Sequence, residues 1–90
     1  MSEVRDNAAR SRFELEEDGR LAYADYRREG DVLVIPHVFA DPALRGRGAA
    51  GRLMAGVARA ARDGGLKIMP VCPYAATWMR RHPETADLLA

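Results

Sequence analysis

The sequence predicts a single α/β domain with a mixed sheet, in the order strand, strand, strand, helix, strand, helix. Alternating apolar and charged residues near the start predict antiparallel strands joined by tight turns. Further along, a strand, an amphipathic helix and another strand follow one another, and such a unit favours parallel pairing with a right-handed crossover. We therefore predict three antiparallel strands, one parallel strand and two helices within residues 1–90.

The first two predicted strands form a hairpin. In RFELEE, residues 12–17, Phe13 and Leu15 alternate with charged residues, which is the pattern of a half-buried strand. Asp18-Gly19 is a strong hairpin turn. The segment RLAYADYRRE continues the alternation and supplies the second strand.

The third predicted strand is VLVIPHVF, residues 32–39, which follows a turn at Gly30. Its continuous apolar, β-branched run is typical of a central strand buried on both faces. Pro36 has no N–H to donate, so we expect a bulge or a local break in pairing there.

Helical spacing appears after the loop ADPAL. Between Gly48 and Asp63 the apolar residues recur three and four positions apart, which predicts a helix packed on the sheet. They are Leu53, Met54, Val57, Ala60 and Ala61.

Gly64 and Gly65 end this helix, and LKIMPVC, residues 66–72, predicts the parallel strand. Pro73 then fits the first turn of a final helix, PYAATWMRRH, which Pro83 ends.

Composition and charge exclude several classes of protein. The net charge of +1 argues against strong nucleic-acid binding, and no apolar run approaches the length of a membrane span. A single cysteine, Cys72, excludes an internal disulfide and any metal site built from several cysteines. The N-terminal segment has no signal-peptide core. We expect a cytoplasmic protein without a metal, nucleic-acid or membrane partner.

The stretch LRGRGAAGRLM carries glycines and arginines into the start of the predicted helix. Residues 1–31 hold six arginines against nine acidic residues, whereas residues 43–67 hold six basic residues against one acidic residue. The N–H groups and dipole of a helix N-terminus bind phosphate, and Gly46 and Gly48 allow the backbone to approach an anion at positive φ. A flexible loop with solvated arginines is the other interpretation. The Lys-Ser or Lys-Thr pair of a nucleoside-triphosphate loop is missing, and the strand order does not suit a dinucleotide fold.

This loop resembles a known signature. Arg45-x-x-Gly48-x-Ala50 is similar to the (Gln/Arg)-x-x-Gly-x-(Gly/Ala) motif of the GCN5-related N-acetyltransferases, and the order of predicted elements around it also resembles theirs. The resemblance implies a minimal acyl-coenzyme A N-acyltransferase fold. It also implies an N-acetyltransferase that uses acetyl-coenzyme A and an unidentified amine acceptor.

The C-terminal part carries the resemblance further. CPYAATWM aligns Cys72, Ala75 and Met79 with the family pattern Asn-x-x-Ala-x-x-x-Tyr, and RGRG, CPY and RHPE resemble a small single-domain group of the family over residues 12–88. Met79 stands where the family often has the tyrosine that protonates the leaving thiolate, and methionine has no proton to donate. The 90 residues also leave no segment for the helices that line the acceptor pocket in typical members.

The resemblance implies a set of coenzyme-binding residues. The loop amides hold the pyrophosphate, Val38 and Phe39 offer backbone groups to the pantetheine arm, and Arg80 or Arg81 contacts the adenosine 3′-phosphate. The expected residues are Val38, Phe39, Arg45, Gly46, Arg47, Gly48, Ala49, Ala50, Gly51, Arg80 and Arg81.

Cys72 and His37 are the candidate catalytic residues. We predict Cys72 as an accessible thiol, because the helix start at Pro73 favours its thiolate; it then acts as acyl nucleophile or proton donor. His37 takes a proton from the attacking amine. Each has a plainer interpretation, a buried small hydrophobe and a structural histidine. Tyr74 and Trp78 are predicted to be core residues.

Two other functions stay open on the sequence alone. A coenzyme A-binding or protein-interaction module without catalysis agrees with Met79. A redox thiol protein predicts a reactive Cys72 without any affinity for coenzyme A.

Overall fold

Five strands of the described chain form one sheet, and they lie side by side in chain order. The structure is a computed structural model that describes residues 3–90. Its elements are β1 Arg5–Asn7, β2 Arg12–Glu17, β3 Arg20–Glu29, β4 Val32–Ala40, α1 Ala49–Asp63, β5 Lys67–Pro70 and α2 Pro73–Arg80, with 3₁₀ turns at Ala8–Arg10, Pro42–Leu44 and Pro83–Leu88. Neighbouring strands are antiparallel except for the parallel pair of β4 and β5.

The predicted mixed α/β sheet with two helices is confirmed, with one more strand than predicted. The additional strand, β1, pairs with the start of β2. Its residues are all polar, so no hydrophobic period marks them as a strand. Long-range contacts hold β1 in place: Tyr26 Oη donates to Asp6 Oδ1 at 2.8 Å, and Arg5 Nη2 lies 3.7 Å from Glu14 Oε1.

The hairpin between β2 and β3 turns at Asp18 and Gly19, as predicted. Both residues have positive φ, 52° and 72°, which is the backbone that a two-residue hairpin turn requires. The Asp18-Gly19 pair therefore forms the hairpin turn that the sequence predicts.

Strand β4 contains the irregularity predicted at Pro36. Asp25 of β3 pairs with His37, but Arg27 pairs with Val34, so β4 has one more residue than β3 between these two pairs. A bulge of this kind bends the strand that carries it, and it lies where β4 reaches the end of β5.

Both helices pack on one face of the sheet. Buried residues of α1 and α2, among them Leu53 and Trp78, share a single core cluster with Ala22 and Ala24 of β3. Alternation along a strand places Tyr23, between these two alanines, on the opposite face. The buried residues of α1 and α2 all belong to the core cluster on the first face.

Candidate functional site

The outer half of β4 has one open edge. Strand β5 pairs with β4 only from Val32 to Ile35, and the backbone N–H of Cys72 then donates to the carbonyl of Ile35 at 2.9 Å. Beyond that bond the chain turns into α2. The rest of β4 pairs with β3, and no strand of the described residues lies along its other edge.

A cavity of about 490 Å³ lies against this open edge. We call it the first cavity. Strand β4, the loop before α1, the first turn of α1 and one residue of α2 line it. Its lining residues are His37, Val38, Phe39, Ala40, Leu44, Arg45, Gly46, Gly48, Ala49, Ala50, Gly51 and Tyr74.

The loop presents backbone groups to the first cavity. Gly46 and Gly48 both have φ of 78°, which confirms the positive φ predicted for them. Gly48 is the N-cap of α1 and provides no side-chain cap, so the N–H groups of the first turn have no intrahelical partner. Ala49, Ala50 and Gly51 carry three of those groups and line the cavity. The arrangement suits an anion at the helix start.

The two loop arginines point in different directions. Arg45 lines the first cavity, and its Nε donates to the carbonyl of Ala40 at 3.1 Å. Arg47 instead forms an ion pair with Asp18 of the first hairpin and does not line the cavity. The loop therefore presents one arginine of the two to a ligand in this cavity.

Most of the residues predicted to bind the coenzyme meet in the first cavity. Val38, Phe39, Arg45, Gly46, Gly48, Ala49, Ala50 and Gly51 line it, whereas Arg47, Arg80 and Arg81 do not. Arg80 donates from Nη2 to Thr77 Oγ1 at 3.2 Å, and Arg80 and Arg81 are both exposed at the end of α2. The role of Arg80 and Arg81 stays a prediction.

His37 is exposed and belongs to both the cavity and the uncovered face of the sheet. It lines the first cavity, and its ring lies edge-on to Tyr23 with 6.2 Å between centroids. Tyr23 also packs on Phe39 at 5.2 Å. Asp25 is the cross-strand partner of His37, and its carboxylate lies on the same face of the sheet. The exposed ring of His37 thus borders both the first cavity and the opposite face of the sheet.

The prediction of an accessible thiol at Cys72 is wrong. Its exposure is 7%, it belongs to the core cluster, and it does not line the first cavity. The bond from its N–H to Ile35 continues the pairing of β5, so Val71 points outward and Cys72 inward. Strand alternation thus decides the orientation of this side chain.

Tyr74 was predicted to be a core residue, and the structure places it at the first cavity. It is 43% exposed, and its Oη lies 3.9 Å from the position that a Cβ on Gly51 would occupy. Partial burial raises the pKa of the Tyr74 hydroxyl above its ordinary 10.0, so the group keeps its proton at neutral pH. Met79, in contrast, is buried in the core with 3% exposure. The sequence signal that could have placed Tyr74 at the cavity is its position in the first turn of α2. In the structure that position faces the glycine loop.

A second cavity of about 770 Å³ adjoins the first and shares Gly48 and Gly51 with it. It runs between α1 on one side and the end of α2 with its following 3₁₀ turn on the other. Its lining residues are Gly48, Gly51, Arg52, Ala55, Ala58, Arg59, Arg62, Asp63, Trp78, His82, Glu84 and Thr85. In the sequence these arginines belong to the basic block of residues 43–67, and their helical spacing puts them on one face of α1.

Two further findings concern residues 3–90. No helix in this part of the chain has the length and apolar character to cross a bilayer. Within the same range no three His, Cys, Asp or Glu side chains cluster in a way that would hold a metal ion.

Comparisons with known proteins agree with the fold. The family model described as GCN5-related N-acetyl-transferase matches residues 12–88. The solution NMR structure of a "GCN5-like putative N-acetyltransferase" from Staphylococcus aureus superposes with a TM-score of 0.76 at 24% sequence identity, over 98% of this chain and 87% of that one. A search of curated proteins found no match.

Proposed function

Since this chain belongs to the GCN5-related N-acetyltransferase family, we propose that it binds acetyl-coenzyme A in the first cavity and transfers the acetyl group to an amine. One observation carries the proposal: a single cavity joins the open edge of β4 to the uncapped N-terminus of α1. An extended arm that ends in a diphosphate fits that combination. The extended arm needs a row of backbone hydrogen bonds, and the diphosphate needs N–H donors.

Binding divides between the loop and the strand. The diphosphate lies at the N–H groups of the first turn of α1, where the dipole and Arg45 favour negative charge. The pantetheine arm runs along β4 and bonds to the backbone of Val38 and Phe39, which have no β5 partner. The thioester then lies near His37, where β4 and β5 separate.

The chemistry is acyl transfer by direct attack. The amine nitrogen attacks the thioester carbonyl carbon, the new C–N bond forms, and the C–S bond breaks. His37 accepts the proton that the amine loses. Tyr74 donates a proton to the departing thiolate, and the support for this role is its phenolic O–H and its place on the cavity wall.

A covalent route through Cys72 is a second version of the same function. In that version the thiolate of Cys72 accepts the acetyl group and coenzyme A leaves before the amine arrives. The route requires Cys72 to become exposed, since its side chain is buried in the core.

We place the reaction in the cytoplasm, where a reducing environment keeps this free thiol reduced.

The acceptor reaches the thioester from the uncovered face of the sheet. His37 belongs to that face together with Tyr23 and Phe39. Phe39 offers apolar contact to the amine-bearing group, whereas the guanidinium of Arg12 already lies 4.5 Å from the centroid of the Tyr23 ring. The carboxylate of Asp25 lies on the strand beside His37. An aromatic surface next to an acidic group favours a cation.

A module that binds coenzyme A without catalysis is the alternative function. The observation that favours it is the burial of Met79, because the position where the family often has a proton-donating tyrosine lies in the core. The alternative predicts affinity for acetyl-coenzyme A with no transfer under any condition.

One experiment separates these functions. Acetyl-coenzyme A is titrated calorimetrically, and the mixture is then incubated with a panel of amines and examined by mass spectrometry. Binding with an acetylated amine supports direct transfer, and binding with an acetylated protein that chases to the amine supports the covalent route. Binding alone supports the non-catalytic module. If no heat of binding is observed, the proposed function is wrong.

A further inference from the structure

The opposite face of the sheet, which carries Tyr23, has a small apolar centre of its own at Val34. Among residues 3–90, Val34 is the one buried hydrophobic residue that does not belong to the core cluster, and its exposure is 2%. Strand alternation places it on the opposite face, because its neighbours Leu33 and Ile35 lie in the core. Residues of the sheet itself therefore bury an apolar side chain on this face.

Exposed apolar side chains continue this centre onto β5. Met69 lies across from Val34 and is 46% exposed, and Val71 is 57% exposed. Both alternate with core residues, Ile68 and Cys72, so both lie on the opposite face. Neighbouring exposed apolar side chains with charged residues around them are typical of a surface that binds another protein.

Charged residues of β3 join the apolar residues of β4 and β5 in two rows that cross the strands. We call Arg27, Val34 and Met69 the first row, and Asp25, His37 and Val71 the second row. The rows are two residues apart along β3 and β5, and the bulge makes them three residues apart along β4. The first row thus begins with a cation, the second begins with an anion, and both end in an exposed apolar side chain.

The cation of the first row has only a surface partner. The Nε atom of Arg27 lies 2.6 Å from Glu29 Oε2, and the two side chains are 62% and 57% exposed. Ion pairs between such exposed side chains add little to stability. Arg27 can therefore exchange Glu29 for a carboxylate on another molecule at little cost.

The two rows complement each other when the face meets a copy of itself. A twofold axis that crosses the strands midway between the rows places the first row of each copy opposite the second row of the other. Arg27 of one copy then faces Asp25 of the other, while Met69 faces Val71. Packed sheets lie about 10 Å apart, and an arginine together with an aspartate can bridge that separation.

The face is large enough for a specific contact. At about 3.3 Å per residue and about 4.8 Å between strands, the five strands cover on the order of 500 Å² of flat surface. Accessible area exceeds flat area, because side chains stand out from the sheet. The face therefore approaches the roughly 600–800 Å² per partner of the smaller specific interfaces.

We propose that this face is the interface of a homodimer, in which a second copy of the chain packs on it with the two rows exchanged. A second copy is the favoured occupant because symmetry brings a carboxylate to Arg27 and a guanidinium to Asp25 at matching spacing, and each contact occurs twice. The dimer does not depend on the proposed function, and its test uses the protein without a ligand.

The test measures the molar mass by sedimentation equilibrium from about 1 μM to about 1 mM chain. We expect the mass to rise from that of one chain toward that of two, because an interface of this size forms a dimer that dissociates on dilution. Val71→Asp should weaken dimerisation at least tenfold, since it buries an unpaired charge twice in each dimer. Ala55→Asp, on the exposed surface of α1, is the matched control and should dimerise like the wild type.

A charge exchange tests the arrangement of the rows. Arg27→Asp and Asp25→Arg should each weaken dimerisation about tenfold or more, because each places like charges opposite one another. The double variant restores opposite charges and should dimerise within about threefold of the wild type. Thermal denaturation checks that every variant is folded, and Met69→Asp repeats the apolar test if Val71→Asp is not.

Three results would overturn the proposal. A wild-type protein that stays monomeric up to about 1 mM leaves the face to a different partner. A dimer that the folded Val71→Asp and Met69→Asp variants form as tightly as the wild type uses another surface. A double charge variant that dimerises no better than either single variant excludes the exchange of the two rows.

Discussion

Replacing Gly48 by aspartate places a carboxylate at the N-cap of α1, inside the first cavity. Gly48 has φ of 78°, and its Cβ would lie 3.1 Å from Arg52 Nη1, the mobile end of a long side chain. The left-handed backbone costs a side chain roughly 1–2 kcal/mol, and aspartate is among the residues that tolerate it best. The variant should therefore fold, with a modest loss of stability.

The loss of acetyl-coenzyme A affinity should be larger than that of stability. Two like charges about 5 Å apart repel by about 0.8 kcal/mol in water and by about 3 kcal/mol at an effective dielectric constant of 20. The diphosphate carries more than one charge, and the new side chain also takes up its space. We expect Gly48→Asp to weaken binding more than tenfold, which is more than about 1.4 kcal/mol.

Gly30→Asp is the matched control for this prediction. Gly30 also has positive φ, 62°, and no heavy atom lies within 4 Å of its added Cβ. It sits in the turn between β3 and β4, outside both cavities. Thermal denaturation should show similar losses of stability in the two variants, while calorimetry should show weakened binding in Gly48→Asp alone. Unchanged affinity in a folded Gly48→Asp protein, or equal weakening in the control, would refute the placement of the diphosphate.

Four further outcomes follow from the site and the sheet. Tyr74→Phe should keep acetyl-coenzyme A affinity and slow acetyl transfer by about 100-fold or more; an unchanged rate rules out Tyr74 as the proton donor. Cys72→Ala should lower the free energy of unfolding by about 1 kcal/mol and retain transfer, and a loss of transfer in the folded variant would instead establish the covalent route. Because Arg45 lines the cavity, affinity should weaken as ionic strength rises from about 0.01 M to 0.15 M, whereas a flat response indicates mainly apolar binding. The hydrogen bond from Arg12 is the largest of the effects that lower the pKa of Glu14 below its ordinary 4.5, so ionised Glu14 stabilises the fold above that pH and less as the pH falls below it. Urea unfolding of Glu14→Gln should accordingly depend less on pH in that acidic range than the wild type, and identical pH dependence contradicts this.

The elements that could be predicted from the sequence all depend on residues within one short segment. The turn at Asp18-Gly19, the irregularity at Pro36 and the positive φ at Gly46 and Gly48 follow from backbone preferences of single residues. The loop of the first cavity was predictable for the same reason. The position of the cavity walls could be predicted from the order of strand, loop and helix alone.

Strand β1 was not predictable in this way. Its three polar residues have no hydrophobic period, and they pair because β2 presents an open edge and Tyr26 reaches Asp6 from 20 residues away. Such pairing depends on the sheet being formed already.

By itself the sequence determined the mixed α/β fold, the glycine loop at the start of α1 and the strand that faces it, because each follows from hydrophobic period or turn chemistry within a short segment. The tertiary structure decided the direction of side chains at the junctions. Strand alternation turned Cys72 into the core, and the first turn of α2 brought Tyr74 to the cavity. It also decided which arginines of α1 are paired: Arg52 and Arg62 meet carboxylates 35 and 25 residues away in sequence. Arg59 meets no carboxylate among the described residues. The fold decides which segments come within a few ångströms of a charged side chain, and no pattern in the local sequence predicts those distances.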